Sequence, residues 1–92
     1  MAKIYVVDRE QYATVKAFKV DREQYADLLV FVVDREQYAK GDALWYYVDR
    51  EQYATTKLFW VQREQYADLK VYLVNREQYA KWNKGHRFQN RL

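Results

Sequence analysis

A mainly β fold, with six to seven short strands joined by tight arches or single helical turns into a compact closed arrangement, is what this sequence predicts. Three observations carry that expectation. An Arg-Glu-Gln-Tyr-Ala block preceded by Asp, Gln or Asn occurs six times, beginning at Asp8, Asp21, Asp34, Asp49, Gln62 and Asn75. The segments between blocks are short runs of β-branched and aromatic residues, which favour strands. The intervals between blocks are 13, 13, 15, 13 and 13 residues, and such a fixed period marks units that bury their apolar faces only against one another.

The central interval is longer because of two extra residues within Lys40, Gly41 and Asp42. They conceal a larger period. A shift of 41 residues superimposes Ala13-Thr14-Val15-Lys16 on Ala54-Thr55-Thr56-Lys57, and Ala26-Asp27-Leu28-Leu29 on Ala67-Asp68-Leu69-Lys70. Three unit types thus follow one another in order, twice. The simplest path is three-sided and travelled in two laps, placing unit one beside four, two beside five and three beside six. Residues 1–92 are expected to form a single repeat domain that ends in a basic segment, 81–92.

The strands are expected over residues 4–7, 17–20, 30–33, 45–48, 58–61 and 71–74. The third residue before each block is aromatic (Tyr5, Phe18, Phe31, Tyr46, Phe59, Tyr72) and the last is always Val. At period two these share a face, which is expected to be the core. Ile4, Val30, Trp45, Leu58 and Val71 should leave the other face at least half covered. With two glycines and no proline, the chain cannot rely on hairpin turns that require positive φ. Asp followed three residues later by Gln has the form of a capping box. Each block is therefore expected to be one helical turn capped by its first side chain, with Gln62 the weakest cap.

Composition narrows the chemistry. Ninety-two residues without cysteine exclude disulfides, thiolate metal sites and thiol nucleophiles. Serine is absent too, and the single histidine, His86, has no nucleophile nearby in sequence. No phosphate loop, metal-ligand spacing or dinucleotide fingerprint is present. The expectation is no enzyme, no catalytic residue, no metal and no cofactor. The six block tyrosines are expected to pack beneath the arches rather than offer a stacking ladder to sugars or bases. The block Arg and Glu residues are expected to pair across adjacent units. The net charge of +3 is a tail property, since Lys81, Lys84, Arg87 and Arg91 meet no acid in residues 81–92. With Trp82 these form the candidate binding residues for a polyanion, carbohydrate or protein partner, held through this tail or through the repeated block Tyr and Arg residues, the alternative to a purely structural role. Four cations make a thin footprint for nucleic acid, which is not the expected partner. Residues 84–88 are expected as a seventh strand beside the first or fourth. No apolar run is long enough to span a bilayer, and no signal peptide is recognisable. A cytoplasmic monomer is the expectation.

Six strand-and-arch units, each closing on Ala and four of them continuing with Asp or Thr into an aromatic-centred strand, resemble the septoil knot family of small bacterial proteins. The resemblance covers residues 2 to about 88 in repeat length, count and strand character. It implies a β-rich torus knot with seven crossings, and it implies no activity. A closed, interwoven pair of laps would also leave fewer free strand edges than an open two-lap solenoid. The uniformity of the arches beside varied strands fits tight constraint, recent duplication or a consensus design.

Overall fold

The computed structural model describes residues 2–86, 88, 89, 91 and 92. Seven strands follow in order: β1 (Ala2–Val6), β2 (Val15–Lys19), β3 (Leu28–Val32), β4 (Leu44–Tyr47), β5 (Thr56–Trp60), β6 (Leu69–Leu73) and β7 (Lys81–Trp82). A 3-10 turn stands between each successive pair: Glu10–Tyr12, Glu23–Tyr25, Glu36–Tyr38, Glu51–Tyr53, Glu64–Tyr66 and Glu77–Tyr79. We call these the first to sixth arches. Lateral order is β4-β1-β5-β2-β6-β3, and the β3–β4 pairing closes the ring into a six-stranded parallel barrel. Every neighbour of a first-lap strand within the ring belongs to the second lap. The expected neighbours one and four, two and five, three and six are all paired, and closure adds a second partner for each.

Parallel strands ordinarily need crossovers of about a dozen residues or more; here the arches are shorter, and the register explains how. Within β1, Ala2 lies opposite Trp45 of β4, whereas Ile4 lies opposite Thr56 of β5. The ladder climbs two residues from one interface to the next, as it does from Val15↔Leu58 to Ala17↔Leu69 in β2. This stagger brings the end of β1 level with the start of β2, on opposite sides of β5. Accordingly the Val7 N–H donates to the Leu58 carbonyl and the Thr14 N–H to the Lys57 carbonyl, each at 2.8 Å. The first arch therefore steps sideways over one strand, a span of about 10 Å from two interstrand spacings.

The same hop recurs around the ring. Val20 and Asp27 donate to Val71 and Lys70 of β6, Val48 and Thr55 to Ile4 and Lys3 of β1, and Val61 and Asp68 to Ala17 and Lys16 of β2. Val74 and Asn83 donate to Val30 and Asp27 on either side of the sixth arch. The third arch is the exception. It crosses β4 through the bond from Val33 to Trp45 and reaches β1, where Glu36 pairs with Lys3 at 3.1 Å. That place is already held by β1, so Lys40, Gly41 and Asp42 turn the chain back into β4. Gly41 takes φ +83, a conformation costly for any residue with a Cβ.

The inward face corrects the expectation from sequence. Ala2, Ile4, Val15, Ala17, Leu28, Val30, Trp45, Leu58, Leu69 and Val71 form the barrel interior. The aromatic at the third place before each block points outward and is half-buried. The closing valines are buried or half-buried beneath the crossing arches, as in the outer cluster of Val20, Ala26 and Leu29 with Phe18, Tyr72 and Val74. The arches supply a second apolar layer outside the sheet, so both faces are apolar and the larger aromatic side chains sit where there is room. Inside, small meets large: Ala2 lies opposite Trp45 and Ala17 opposite Leu69, which is how a narrow barrel fills its lumen.

The tail seals the end at which the strands begin. Of the strand expected over 84–88, residues 84–86 and 88 are in none, position 87 lying outside the described residues. The seventh strand is β7, which runs antiparallel to β3 (Leu28↔Trp82, Leu29↔Lys81) and not beside β1 or β4. It covers the half of β3 that β4 leaves unpaired, since β4 meets only Phe31 and Val32. Asn83 fastens the turn with its amide donating to the Glu23 and Ala26 carbonyls, both at 3.1 Å. Trp82, His86 and Phe88 then stack at 5.5 and 5.3 Å, and Leu92, 5% exposed, joins the core. Asp42 ties these pieces together: its carboxylate accepts from Trp82 Nε1 (2.9 Å) and the Leu92 N–H (3.1 Å), and its carbonyl from Trp45 Nε1 (2.7 Å).

Two outcomes follow for stability. Leu58→Ala should cost about 2–5 kcal/mol in urea unfolding, and Tyr66→Ala, on a half-exposed ring, less than half as much. Asp42→Ala should cost about 1–3 kcal/mol by stranding buried donors. It should also speed tryptic cleavage at Lys81 and Lys84, whereas an unchanged cleavage rate would show the tail to be held otherwise.

Candidate functional site

Each arch is built without the expected side-chain cap. The turn begins one residue later than the capping box requires, so the cap position falls on Arg9, Arg22, Arg35, Arg50, Arg63 or Arg76, all extended and making no cap bond. Backbone bonds close it instead, from Tyr12 to Arg9 and from Ala13 to Glu10 in the first arch, each at 3.1 Å. The fifth arch has the same geometry, so the weakness expected at Gln62 disappears along with the caps. After the first, second and fourth arches the residue that follows the arch alanine does bond to the crossed strand. Thr14 and Thr55 donate to the Lys57 and Lys3 carbonyls and accept from the same residues' N–H groups, and Asp27 accepts from the Lys70 N–H.

The expected Arg–Glu ladder is likewise replaced. Among the described residues none of the six arch arginines is in an ion pair, and lysines on the strands take the glutamates: Lys3–Glu36 at 3.1 Å, Lys70–Glu64 at 3.5 Å, Lys16–Glu10 at 3.6 Å and Lys57–Glu51 at 3.7 Å. One rule places all four. Each lysine stands at the second position of its strand, beside the glutamate of the arch that leads to that place in the ring. At the equivalent places of the two remaining strands, the second residue of β3 and the first of β4, the chain has Leu29 and Leu44, and Glu23 and Glu77 are in no ion pair among the described residues.

The arches also shape the surface. The block tyrosines are 46–57% exposed, less buried than expected, because the turn lays each ring along the outer surface and not under it. A recurrent cleft results, walled by the outward strand aromatic, the closing Val, the arch Tyr and a glutamate from the next arch round the ring. It is lined by Tyr46, Val48, Tyr53 and Glu36 at one place (about 380 Å³), by Tyr72, Val74, Tyr79 and Glu23 at another (about 340 Å³) and by Phe31, Val33, Tyr38 and Glu77 at a third (about 400 Å³). In a fourth, Trp60 lies beside Glu10 and Tyr66, with Lys19 Nζ 5.1 Å from its ring.

The tail residues singled out from sequence are dispersed. Lys81, Lys84 and Arg91 are exposed, Trp82 is committed to Asp42, and Arg87 lies outside the described residues. Arg91 and Phe88 border a cavity of about 250 Å³ with Thr14, Val15, Thr55 and Thr56. Both nitrogens of His86 are engaged. Nδ1 accepts from the Phe88 N–H at 3.2 Å, so the proton sits on Nε2, which donates to the Asp68 carbonyl at 2.9 Å. Among the described residues no three His, Asp or Glu side chains converge as a metal site, and no helix is long and apolar enough to cross a membrane. Asp42 and Leu92 organise the tail and were not singled out from sequence; the insertion that holds Asp42 was the one available signal.

Burial raises the pKa of Tyr47 above its ordinary 10.0 by desolvating the phenolate. The unfolded chain therefore releases this proton first, and the stability tied to it is complete below pH 10 and lost as pH climbs through the folded value. Urea midpoints between about pH 8 and pH 11 should fall less steeply for Tyr47→Phe than for the unmodified chain.

No curated protein and no solved structure matches the chain significantly. A family model does, over residues 1–83, the whole of the barrel and β7, and its description is 7(1) septoil knot domain. The repeat, the two-lap ring and this match agree: the chain belongs to the septoil knot domain family.

Proposed function

We propose that this chain is a non-catalytic structural domain whose two laps are interlocked as a knot. One observation carries the reading: every arch crosses a strand of the other lap. The first three pass over β5, β6 and β4, and the last three over β1, β2 and β3. A two-lap circuit with all its crossings between laps is what a torus knot requires. The polar groups support a structural role. Among the described residues no buried side-chain nitrogen or oxygen lacks a hydrogen-bond partner, and the one imidazole, His86, has both nitrogens occupied.

Threading one lap through the other must precede native packing, so refolding from urea should be slow. Followed by tryptophan fluorescence, recovery should take seconds or longer, well beyond the microsecond-to-millisecond range of chains dominated by local contacts. Single-exponential recovery within milliseconds would count against interlocking.

A second reading rests on the arch arginines, exposed and in no ion pair among the described residues, beside half-exposed tyrosines. These would suit a polyanion, with Lys81, Lys84 and Arg91 adding to the field. Retention on heparin that falls with salt, and falls further when Arg9, Arg35 and Arg63 are changed to Gln, would favour it. Retention no greater than that of an uncharged matrix would exclude it.

A further inference from the structure

We propose that the cleft formed by Phe31, Asp34, Tyr38 and Glu77 binds an alkylammonium group brought by another molecule. The chain itself shows what such a place holds. Of six equivalent arch glutamates, four meet a lysine ammonium at 3.1–3.7 Å. Glu77 belongs to the sixth arch, which crosses β3 toward the place in the ring held by β4, and the residue there equivalent to Lys3, 41 positions on, is Leu44. An apolar side chain stands where the pattern puts a cation.

The cleft against Glu77 has a cavity of about 400 Å³, lined by Phe31, Val32, Val33, Asp34, Tyr38 and Glu77. It offers two carboxylates and two aromatic rings. Among the described residues neither acid is in an ion pair, and neither are Arg35 and Arg76, their neighbours in sequence. An ammonium beside aromatic faces is a recognised combination, worth about 0.5–1 kcal/mol per ring at exposed sites. The outer surface of this barrel already uses it where Lys19 sits over Trp60. The companion acid, Glu23, also lacks a lysine, but its cleft has Asn75 where this one has Asp34, so the charge is halved. The ligand is thus an ammonium on an apolar stem, as in a lysine side chain or a polyamine.

The test is a titration of the full chain followed by NMR of the Phe31 and Tyr38 rings, with Nα-acetyl-lysine methylamide in one arm and spermidine in the other. Saturable shifts in the millimolar range, weakened by salt, are expected at these rings and not at Tyr53, whose cleft is served by Lys3. A response to only one compound identifies the carrier. Glu77→Gln should weaken binding at least tenfold, and Leu44→Lys, which supplies the chain's own ammonium, should abolish it. Glu77 is exposed and Leu44 half-buried, and the dispersion of the unliganded spectra verifies that the variants fold. No saturable shift, equal shifts at Tyr53, or binding untouched by Leu44→Lys would overturn the proposal.

Discussion

The two-residue climb of register from one interface to the next is the constraint on which the structure depends. In a flat parallel sheet a chain leaving the end of one strand must travel back the full strand length before starting another. Here the stagger does that work, so the end of β1 and the start of β2 lie level across β5. An arch with a single 3-10 turn then suffices, and glycine is needed only where the rule is broken, at Gly41. Because each hop skips one strand, three hops complete a lap and leave three gaps. A second lap of the same sequence type fills them. Interlacing, closure of the barrel and the short repeat are consequences of one geometric choice.

Closure settles two further problems. A parallel sheet is stable when both faces are covered, and the arches cover the outer one as they cross it. A closed ring also has no edges to template aggregation. The one strand left half-paired, β3, is completed by β7. The lysine–glutamate pairs add little energy, about 0–1 kcal/mol each at such exposure. Their value lies in tying each arch to its own place in the ring, while the backbone bonds and the barrel interior carry the stability.

Much of this was legible in the sequence, for physical reasons. The period of 13, broken once by two residues, encodes hop and lap switch directly and gives the order of strands and turns and the lap-to-lap neighbours, although each strand begins one or two residues earlier than expected and ends one residue before the closing Val. The face assignment failed because period two shows which residues share a face without showing which face is interior. In a barrel wrapped by its own arches both faces are apolar, and only the curvature assigns Trp45 inward and Tyr46 outward. The capping box misled because a 3-10 turn at Glu10 starts one residue too late for Asp8 to reach it. The tail was misplaced because its path depends on Asp42 and Leu92, which touch across 50 positions. The unpartnered Glu77 could not be seen from the blocks, which are identical at that position. It becomes visible only when the ring order pairs each arch with its lysine.

The closing of the ring separates this account from an open two-lap solenoid, in which β2 would pair with β5 but β1 would not. The chain has no cysteine, so paired cysteines report on registry without background. Tyr5→Cys with Lys57→Cys places the two at directly opposed positions of β1 and β5; Lys16→Cys with Phe59→Cys does so on β2 and β5. Opposed residues lie within the roughly 4.4–6.8 Å between Cα atoms that a disulfide spans. Mild oxidation of each folded variant should yield an intramolecular disulfide in both. A bond in the second pair but none in the first would contradict the interlaced barrel.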